Sequence, residues 1–265
     1  MQHVYSEECK HVSRLHIFRH AMTFLLFAAA AAGQSLYQTG FEAPTFSVGP
    51  INGQDSWNGS PTVVVENTLT NGGAQAVSIT PAGLASLLAS RSMSSYSVAT
   101  NGNLVNIKID MFVSATGSAS NWSPIVAYGS QGLLAQVIVI FGSTARLSLG
   151  GPMVGSVAVN RGVWNTFEMD LDMTAQTVTA SVNGTQIGTG TVANSPGNIF
   201  NMVEFGLNSL PGSDTGTFDN LIITTPNAPP PPGSSVPALN GLGLAGLASL
   251  LMVCALFLIR RQSTV

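Results

Sequence analysis

The chain of 265 residues is poor in charge, since only 8% of its residues are Asp, Glu, Lys or Arg, against about 25% in a typical soluble domain. Between residues 36 and 235, acidic residues outnumber the four basic ones, which are Arg91, Lys108, Arg146 and Arg161. This excludes the basic cluster with which nucleic-acid-binding proteins replace counterions on phosphate. Every Cys and His lies outside the same span, which excludes Ser-His-Asp and Cys-His catalysis, the usual Cys/His zinc sites and disulfides from the body of the protein.

The chain begins with a segment typical of a secretory signal peptide. Three basic residues precede the short apolar run AMTFLLFAAAAAG, which ends in small residues. We assign residues 1–35 to this signal region and expect cleavage near Gly33 or Ser35. A short uncleaved anchor is the alternative, although the run is shorter than the roughly 20 residues that a membrane span needs.

Residues 36–225 predict an all-β domain. Apolar and polar residues alternate in VNIKIDMFV and in FEMDLDM, as in strands with one buried face, whereas AQVIVIF is apolar on both faces, as in an inner strand. TVTASV follows FEMDLDM as the second strand of a hairpin, and Asn183-Gly184 predicts the next turn because this pair accepts positive φ. Roughly ten or more short strands of this kind predict a two-sheet antiparallel sandwich.

Several stretches of the body resemble the concanavalin A-like jelly-roll domains of exported proteins. They are GFEAPTFSVGPINGQDSW near the start, WNTFEMDLD and VTASVNG in the middle, and FDNLII near the end. The resemblance covers most of the body and implies a jelly-roll sandwich. That superfamily contains glycan-binding lectins, laminin-type modules and glycoside hydrolases, so the fold does not choose between binding and catalysis.

Glu168, Asp170 and Asp172 are the candidate catalytic residues, because strand alternation places their carboxylates on one face. Laminarinase-type hydrolases of the superfamily have a similar Glu-x-Asp-x-Glu, which implies nucleophile and acid/base roles for the outer two residues. Retaining hydrolysis needs its two carboxyl groups about 5–5.5 Å apart. Here the last residue is an aspartate, one methylene shorter, and any strand with one solvated face gives the same alternation. We therefore expect a solvated face.

Trp122 and Trp57 are the candidate ligand-binding residues. Both lie in polar, turn-like sequence, GSASNWSP and GQDSWNGS, and an exposed indole offers a sugar ring an apolar plane with one hydrogen-bond donor. The alternative is that each ring caps the edge of the core, since large aromatic side chains are usually mostly buried. Trp164, at the start of an alternating strand, is expected to pack into the core.

Glu42 and Asp219 are the candidate ligands of a structural calcium ion. They lie near the first and last predicted strands, which a sandwich often brings side by side, and with Asn220 they supply the oxygen ligands that calcium prefers. The sequence has no EF-hand loop and no Asp-rich repeat. No other cofactor is expected.

The C-terminal part of the chain predicts a stalk followed by a membrane span. Residues 226–235 are rich in proline and form an extended linker. Residues 238–259 are almost wholly apolar and, at about 1.5 Å per residue, are long enough to cross a bilayer. Arg260 and Arg261 follow directly, which predicts a cytoplasmic C-terminus by the positive-inside rule.

Residues 236–265 also resemble a C-terminal sorting signal of the PEP-CTERM class, which exosortase-type membrane enzymes process on exported bacterial proteins. The matching residues are Val236, Pro237, Ala238 and Leu239, similar to the Ile-Pro-Thr-Leu variant of the motif, and the terminal pair Arg260 and Arg261. The resemblance implies an exosortase-type partner and a body that is tethered outside the membrane or released after processing. A plain single-pass anchor is the alternative.

Taken together, these features predict an exported, non-enzymatic jelly-roll domain that binds a polysaccharide or extracellular matrix. The alternatives are a glycoside hydrolase that uses Glu168 and a purely structural surface or matrix protein. No nucleic-acid partner is expected.

Overall fold

The computed structural model describes residues 34–81, 86–93, 102–193, 199–209 and 212–225. The predicted signal region up to residue 33, the linker and the sorting signal at residues 236–265 lie outside the described residues. Within the described ranges no helix is long and apolar enough to cross a membrane. The predicted span at residues 238–259 lies outside these ranges and stays a prediction.

The described residues form sixteen strands and one turn of 3-10 helix. In chain order they are β1 (Gln34–Thr39), β2 (Gly49–Pro50), the 3-10 turn (Gln54–Ser56), β3 (Trp57–Gly59), β4 (Val63–Glu66), β5 (Ala76–Ile79), β6 (Leu87–Ser92), β7 (Leu104–Val113), β8 (Asn121–Gly129), β9 (Gly132–Ile140), β10 (Thr144–Ser148), β11 (Met153–Ala158), β12 (Trp164–Asp172), β13 (Thr177–Val182), β14 (Thr185–Thr191), β15 (Phe200–Ser209) and β16 (Gly216–Thr225).

The strands pair into two antiparallel sheets. Sheet A has the order β14-β13-β12-β7-β16-β5-β4-β2, and β1 pairs with the second half of β16. Sheet B has the order β11-β10-β9-β8-β15-β6-β3. The predicted all-β, two-sheet antiparallel sandwich is confirmed, and it fits a jelly-roll or concanavalin-like fold.

The core between the sheets is built around aromatic rings. Phe205 of sheet B lies 4.7 Å from Phe218 of sheet A, measured between ring centroids. Trp57 lies 5.2 Å from Phe205, and Trp122 lies 6.2 Å from Phe218. All four side chains are fully buried. Since each ring of this size removes about 150–250 Å² from water, this cluster is a major source of the attraction between the sheets.

Strand β12 confirms the alternation that its sequence predicts. Phe167, Met169 and Leu171 are buried in the core, and the carboxylates between them lie on the other face. The strand pairs with β13 in the predicted hairpin. Asn183 and Gly184 have φ values of 50° and 76° in the turn before β14, also as predicted. Strand β9 lies between β8 and β10, as expected of an inner strand.

Candidate functional site

The structure corrects the prediction that Trp122 and Trp57 are ligand platforms. Neither side chain has exposed surface, so neither indole can stack on a ligand. Trp122 lies in β8 beside Leu207 and Val139, which are core residues. Of the polar residues that suggested an exposed turn, Ser118 and Ser120 precede β8, whereas Asn121 and Ser123 flank the tryptophan within the strand.

Trp164 was expected in the core and instead lies on the outer surface of sheet A, which is a second correction. It is the first residue of β12, and its place in the alternation is that of the outward carboxylates. The half-buried ring packs against Phe112, its register neighbour in β7, with ring centroids 5.8 Å apart. The outer surface of sheet A therefore carries one aromatic pair at the start of β12.

Glu168, Asp170 and Asp172 follow Trp164 on the same outer surface. Asn106 Nδ2 donates to Oε1 of Glu168 at 2.7 Å and to Oδ1 of Asp170 at 2.8 Å. Oδ1 of Asp172 accepts from the backbone N–H groups of Thr174 and Ala175, at 2.9 and 2.8 Å. Asp172 therefore shapes the turn between β12 and β13, which leaves Glu168 and Asp170 to share one amide.

Glu42 and Asp219 lie near each other, as the sequence predicts, on either side of Gly40. A methyl group placed on Gly40 would lie 3.6 Å from Cγ of Glu42 and 3.7 Å from Oδ1 of Asp219. Oε1 of Glu42 accepts from the N–H groups of Ala74 and Gln75. No group of three Asp, Glu, His or Cys side chains placed to hold a metal occurs within the described ranges, so calcium binding by this pair stays a prediction.

Asp219 is fully buried in a network of amide groups. Its Oδ2 accepts from the N–H of Asn71 at 2.8 Å and its Oδ1 from the N–H of Asn220 at 2.7 Å. Burial raises the pKa of Asp219 from its ordinary 3.8 to about 6; the two N–H donors oppose this rise, and the nearby carboxylates of Glu42 and Asp110 add to it. The Asp219 carboxyl is thus a buried acid that titrates near neutral pH.

The outer surface of sheet B, here called face B, holds a set of polar residues that no sequence motif indicates. The register places Gln136 of β9 beside Val126 of β8, and Val126 beside Glu204 of β15. Val126 and Ile138 are only 2% and 7% exposed, although neither belongs to the core between the sheets. Face B is therefore sheltered in its middle, where Gln136 Nε2 donates to the buried hydroxyl of Ser123 at 2.6 Å.

Tyr128 and Glu204 form the central pair of face B. The Tyr128 hydroxyl donates to Oε1 of Glu204 over 3.4 Å. Burial raises the pKa of Glu204, and the Tyr128 hydroxyl partly offsets that rise. Burial also raises the pKa of Tyr128, and the carboxylate of Glu204 adds to the rise. The pKa of Glu204 therefore lies above that of an ordinary glutamate.

A cavity of about 610 Å³ lies beside this pair, lined by Tyr128. Its other lining residues are Ser92, Met93, Gly129, Gly132, Ile199, Asn201 and Met202. The volume lies within the range of about 300–1,000 Å³ typical of small-molecule sites. The lining combines an aromatic ring and apolar side chains with hydroxyl and amide groups, which suits a ligand with an apolar ring face and several hydroxyls.

Comparison with known proteins supports the fold. No known protein family's profile matches the chain, and no curated protein matches it. The solved structure of Cellulose induced protein, Cip1, matches with a TM-score of 0.53 and 16% identity, over 71% of this chain and 97% of that one. A carbohydrate esterase from the Shiga toxin-encoding bacteriophage phi24B matches with a TM-score of 0.52 and 13% identity, over 73% and 99% of the two chains.

A sialidase also matches, with a TM-score of 0.52 and 10% identity over 75% of this chain. The match covers only 19% of the sialidase, so this chain spans about a fifth of that protein. At these identities the likeness shows the fold alone. The chain therefore shares a β-sandwich with proteins named for their action on carbohydrates.

The expectation of a non-enzymatic domain is corrected by the same comparisons. A sialidase and a carbohydrate esterase are among the proteins that contain this sandwich. The expectation rested on the shortness of Asp172, which lies on the outer surface of sheet A. Face B, on the opposite sheet, holds a second carboxylate, since Glu204 and Tyr128 lie beside a cavity there.

Proposed function

We propose that the sandwich binds a polysaccharide on face B, with one sugar unit seated in the cavity lined by Tyr128. The observation that carries this proposal is the cavity itself, because a pyranose ring presents an apolar C–H face and a rim of hydroxyls. The Tyr128 ring, Met93 and Met202 suit the apolar face, and Ser92 and Asn201 suit the hydroxyls.

The Tyr128–Glu204 pair supports the same proposal. A carboxyl with a raised pKa serves as donor or acceptor according to its protonation, and sugar hydroxyls are both donors and acceptors. Because both side chains are partly buried, hydrogen bonds to them are less exposed to competing water than those of a fully exposed pair. Glu204 of this pair lies in one row with Val126 and Gln136, so a chain leaving the cavity past Glu204 meets the amide of Gln136.

A panel of soluble polysaccharides tests the proposal with the purified full-length chain and its Tyr128→Ala variant. We expect at least one polymer to bind, and Tyr128→Ala to weaken that binding about tenfold or more, since stacking and a hydrogen bond are both lost. Glu168→Gln, on the opposite sheet, is the matched control and should bind as the unaltered chain does. If Tyr128→Ala binds as tightly as the unaltered chain, or if Glu168→Gln loses binding, the site does not lie on face B.

We further propose that this domain works outside the cell, tethered by the C-terminal segment or released from it. The support is in the sequence alone: the signal-like region 1–35, the apolar residues 238–259 and the motif that begins at Val236. Protease added to spheroplasts should digest the sandwich while a tag placed after residue 265 stays protected. A sandwich that resists protease until the membrane is lysed would contradict this topology.

A further inference from the structure

Arg146 is the basic residue of the described chain that has no acidic neighbour. Arg91 pairs with Asp55 at 3.6 Å, and Arg161 pairs with Asp214 at 3.3 Å. Lys108 lies opposite Glu168 in the register of β7 and β12. Arg146 makes no ion pair with any described residue, and its Nε is buried without a hydrogen-bond partner. Because no described carboxylate neutralises the half-buried Arg146 guanidinium, an external anion at this position would be stabilising.

The register places Arg146 on face B, on a diagonal that leads to the cavity. Its neighbours Ala145 and Leu147 in β10 are core residues, so Arg146 points outward, and it pairs with Ile138 of β9. Gln136 also belongs to β9 and lies two residues from Ile138, the register partner of Arg146. Tyr128 belongs to the next strand, β8, and lies two residues from Val126, the register partner of Gln136. At about 4.8 Å between strands and 3.4 Å per residue, the diagonal is roughly 17 Å long from Arg146 to Tyr128.

Face B also differs in charge from the rest of the sandwich. Among the acidic residues of the described chain, Glu204 alone belongs to face B. The others lie on sheet A, in loops or in the 3-10 turn: Glu42, Asp55, Glu66, Asp110, Glu168, Asp170, Asp172, Asp214 and Asp219. An anionic ligand would be repelled by the three carboxylates on the outer surface of sheet A, and on face B it would meet one carboxylate and the unpaired guanidinium of Arg146.

We propose that the polysaccharide bound on face B is anionic, and that Arg146 holds a carboxylate or sulfate group on a sugar unit several positions from the one in the cavity. A guanidinium donates two parallel hydrogen bonds to either group, which fixes its orientation as well as its charge. This inference rests on the proposed function, since it takes the same face as the binding site and adds the chemical class of the ligand.

Two matched pairs of polymers test the inference with the full-length chain: dextran sulfate against dextran, and polygalacturonate against its carboxyl-reduced form. We expect one or both anionic polymers to bind at least about tenfold more tightly than the neutral counterpart. Arg146→Gln should weaken that binding by about 10- to 100-fold, as loss of a charge-assisted hydrogen bond does. Arg146→Lys should recover only part of it, because an ammonium lacks the fork of donors.

Lys108→Gln is the control for general electrostatic attraction, because it removes the same charge from the opposite sheet. Equal weakening by Lys108→Gln and Arg146→Gln would overturn the inference. If neutral polymers bind as tightly as anionic ones, and Tyr128→Ala weakens them but Arg146→Gln does not, the anionic ligand is wrong while the binding face stands. If neither these four polymers nor any polymer of the wider panel binds, both the anionic ligand and the proposed function are wrong. A preference for one anionic polymer identifies the group that Arg146 holds.

Discussion

The indole Nε1 of Trp122 donates a hydrogen bond to Oδ2 of Asp214 over 3.5 Å, and neither side chain has exposed surface. The same carboxylate oxygen accepts from Nη2 of Arg161 at 3.3 Å. Arg161 also donates from Nε to the carbonyl of Ser114 at 2.9 Å. One arginine thus neutralises a buried carboxylate and joins three loops at one end of the sandwich.

Arg161→Ala should destabilise the protein far more than Asp214→Asn. The first change leaves a buried carboxylate without its cation, which typically costs about 3–5 kcal/mol; since the Arg161 side chain is 22% exposed, we expect about 2–4 kcal/mol. The second keeps an oxygen acceptor, and the guanidinium still reaches the carbonyl groups and water, so about 1 kcal/mol is expected. Urea unfolding measures both values, and similar losses would contradict this account.

Gly206→Ala should cost more than about 2 kcal/mol of stability, because two separate constraints act on that position. Gly206 has φ of 147°, and a methyl group there would lie 2.2 Å from the carbonyl oxygen of Leu87, which is backbone and cannot turn away. Gly151 has no atom within 4 Å of its added methyl and no positive φ. Gly151→Ala is therefore the matched control, expected to change the unfolding free energy by less than about 0.5 kcal/mol.

Asp219 should make stability fall as pH rises. Its pKa is about 6 in the folded protein against an ordinary 3.8, so the folded state binds the proton more tightly than the unfolded chain. The resulting stabilisation is fully present below pH 3.8 and is lost as pH rises through 6. The difference between these two pKa values corresponds to about 3 kcal/mol of unfolding free energy. Asp219→Asn removes this group, so the difference between variant and unaltered chain should change between pH 4 and 7 in urea titrations; a constant difference would refute it.

Calcium, if bound by Glu42 and Asp219, should reverse that trend. A cation favours the ionised carboxyls and stabilises the folded state by mass action. We therefore expect calcium to raise the melting temperature of the full-length chain at pH 7 and EDTA to lower it, with little response to either at pH 4. Asp219→Asn should abolish the response. If neither calcium nor EDTA changes the melting temperature at pH 7, Glu42 and Asp219 do not bind calcium.

The sandwich could be predicted from the sequence because local patterns determine its strands. Alternation in FEMDLDM fixes the buried face of β12, and the pair Asn183-Gly184 fixes the turn after β13. The tryptophans show the limit of such patterns. Whether Trp122 or Trp164 faces inward depends on the register of a single residue at the start of a strand, and a shift of one residue exchanges the two faces.

The polar groups of face B could not be predicted from local sequence patterns, for a different reason. Tyr128 and Glu204 are 76 residues apart, and they meet only because β8 pairs with β15. The one local signal was a polar residue inside an apolar strand: Gln136 in GLLAQVIVI and Glu204 in NMVEFGL. Such a residue on an inner strand indicates an outer surface that is polar yet sheltered, which is where these two side chains lie.

The three tryptophans should separate into two classes in stability and in fluorescence. Trp122→Ala and Trp57→Ala each remove a fully buried indole from the aromatic core, and such changes cost about 3–5 kcal/mol. Each also leaves a polar partner of the indole N–H, the Asp214 carboxylate or the Tyr37 hydroxyl, without that bond. Trp164 packs on the outer surface of sheet A, half-buried, so Trp164→Ala should cost less than about 2 kcal/mol.

Variants that keep one tryptophan and replace the other two with Phe report on each ring separately. Trp164 alone should emit at long wavelength and be quenched readily by acrylamide, because part of its ring is in water. Trp122 alone should emit at shorter wavelength and resist the quencher until the protein unfolds. Since Phe keeps most of the apolar ring, these variants lose less stability than the Ala changes and should stay folded in buffer. Strong quenching of Trp122 in a folded variant would place its indole at the surface and restore it as a ligand platform.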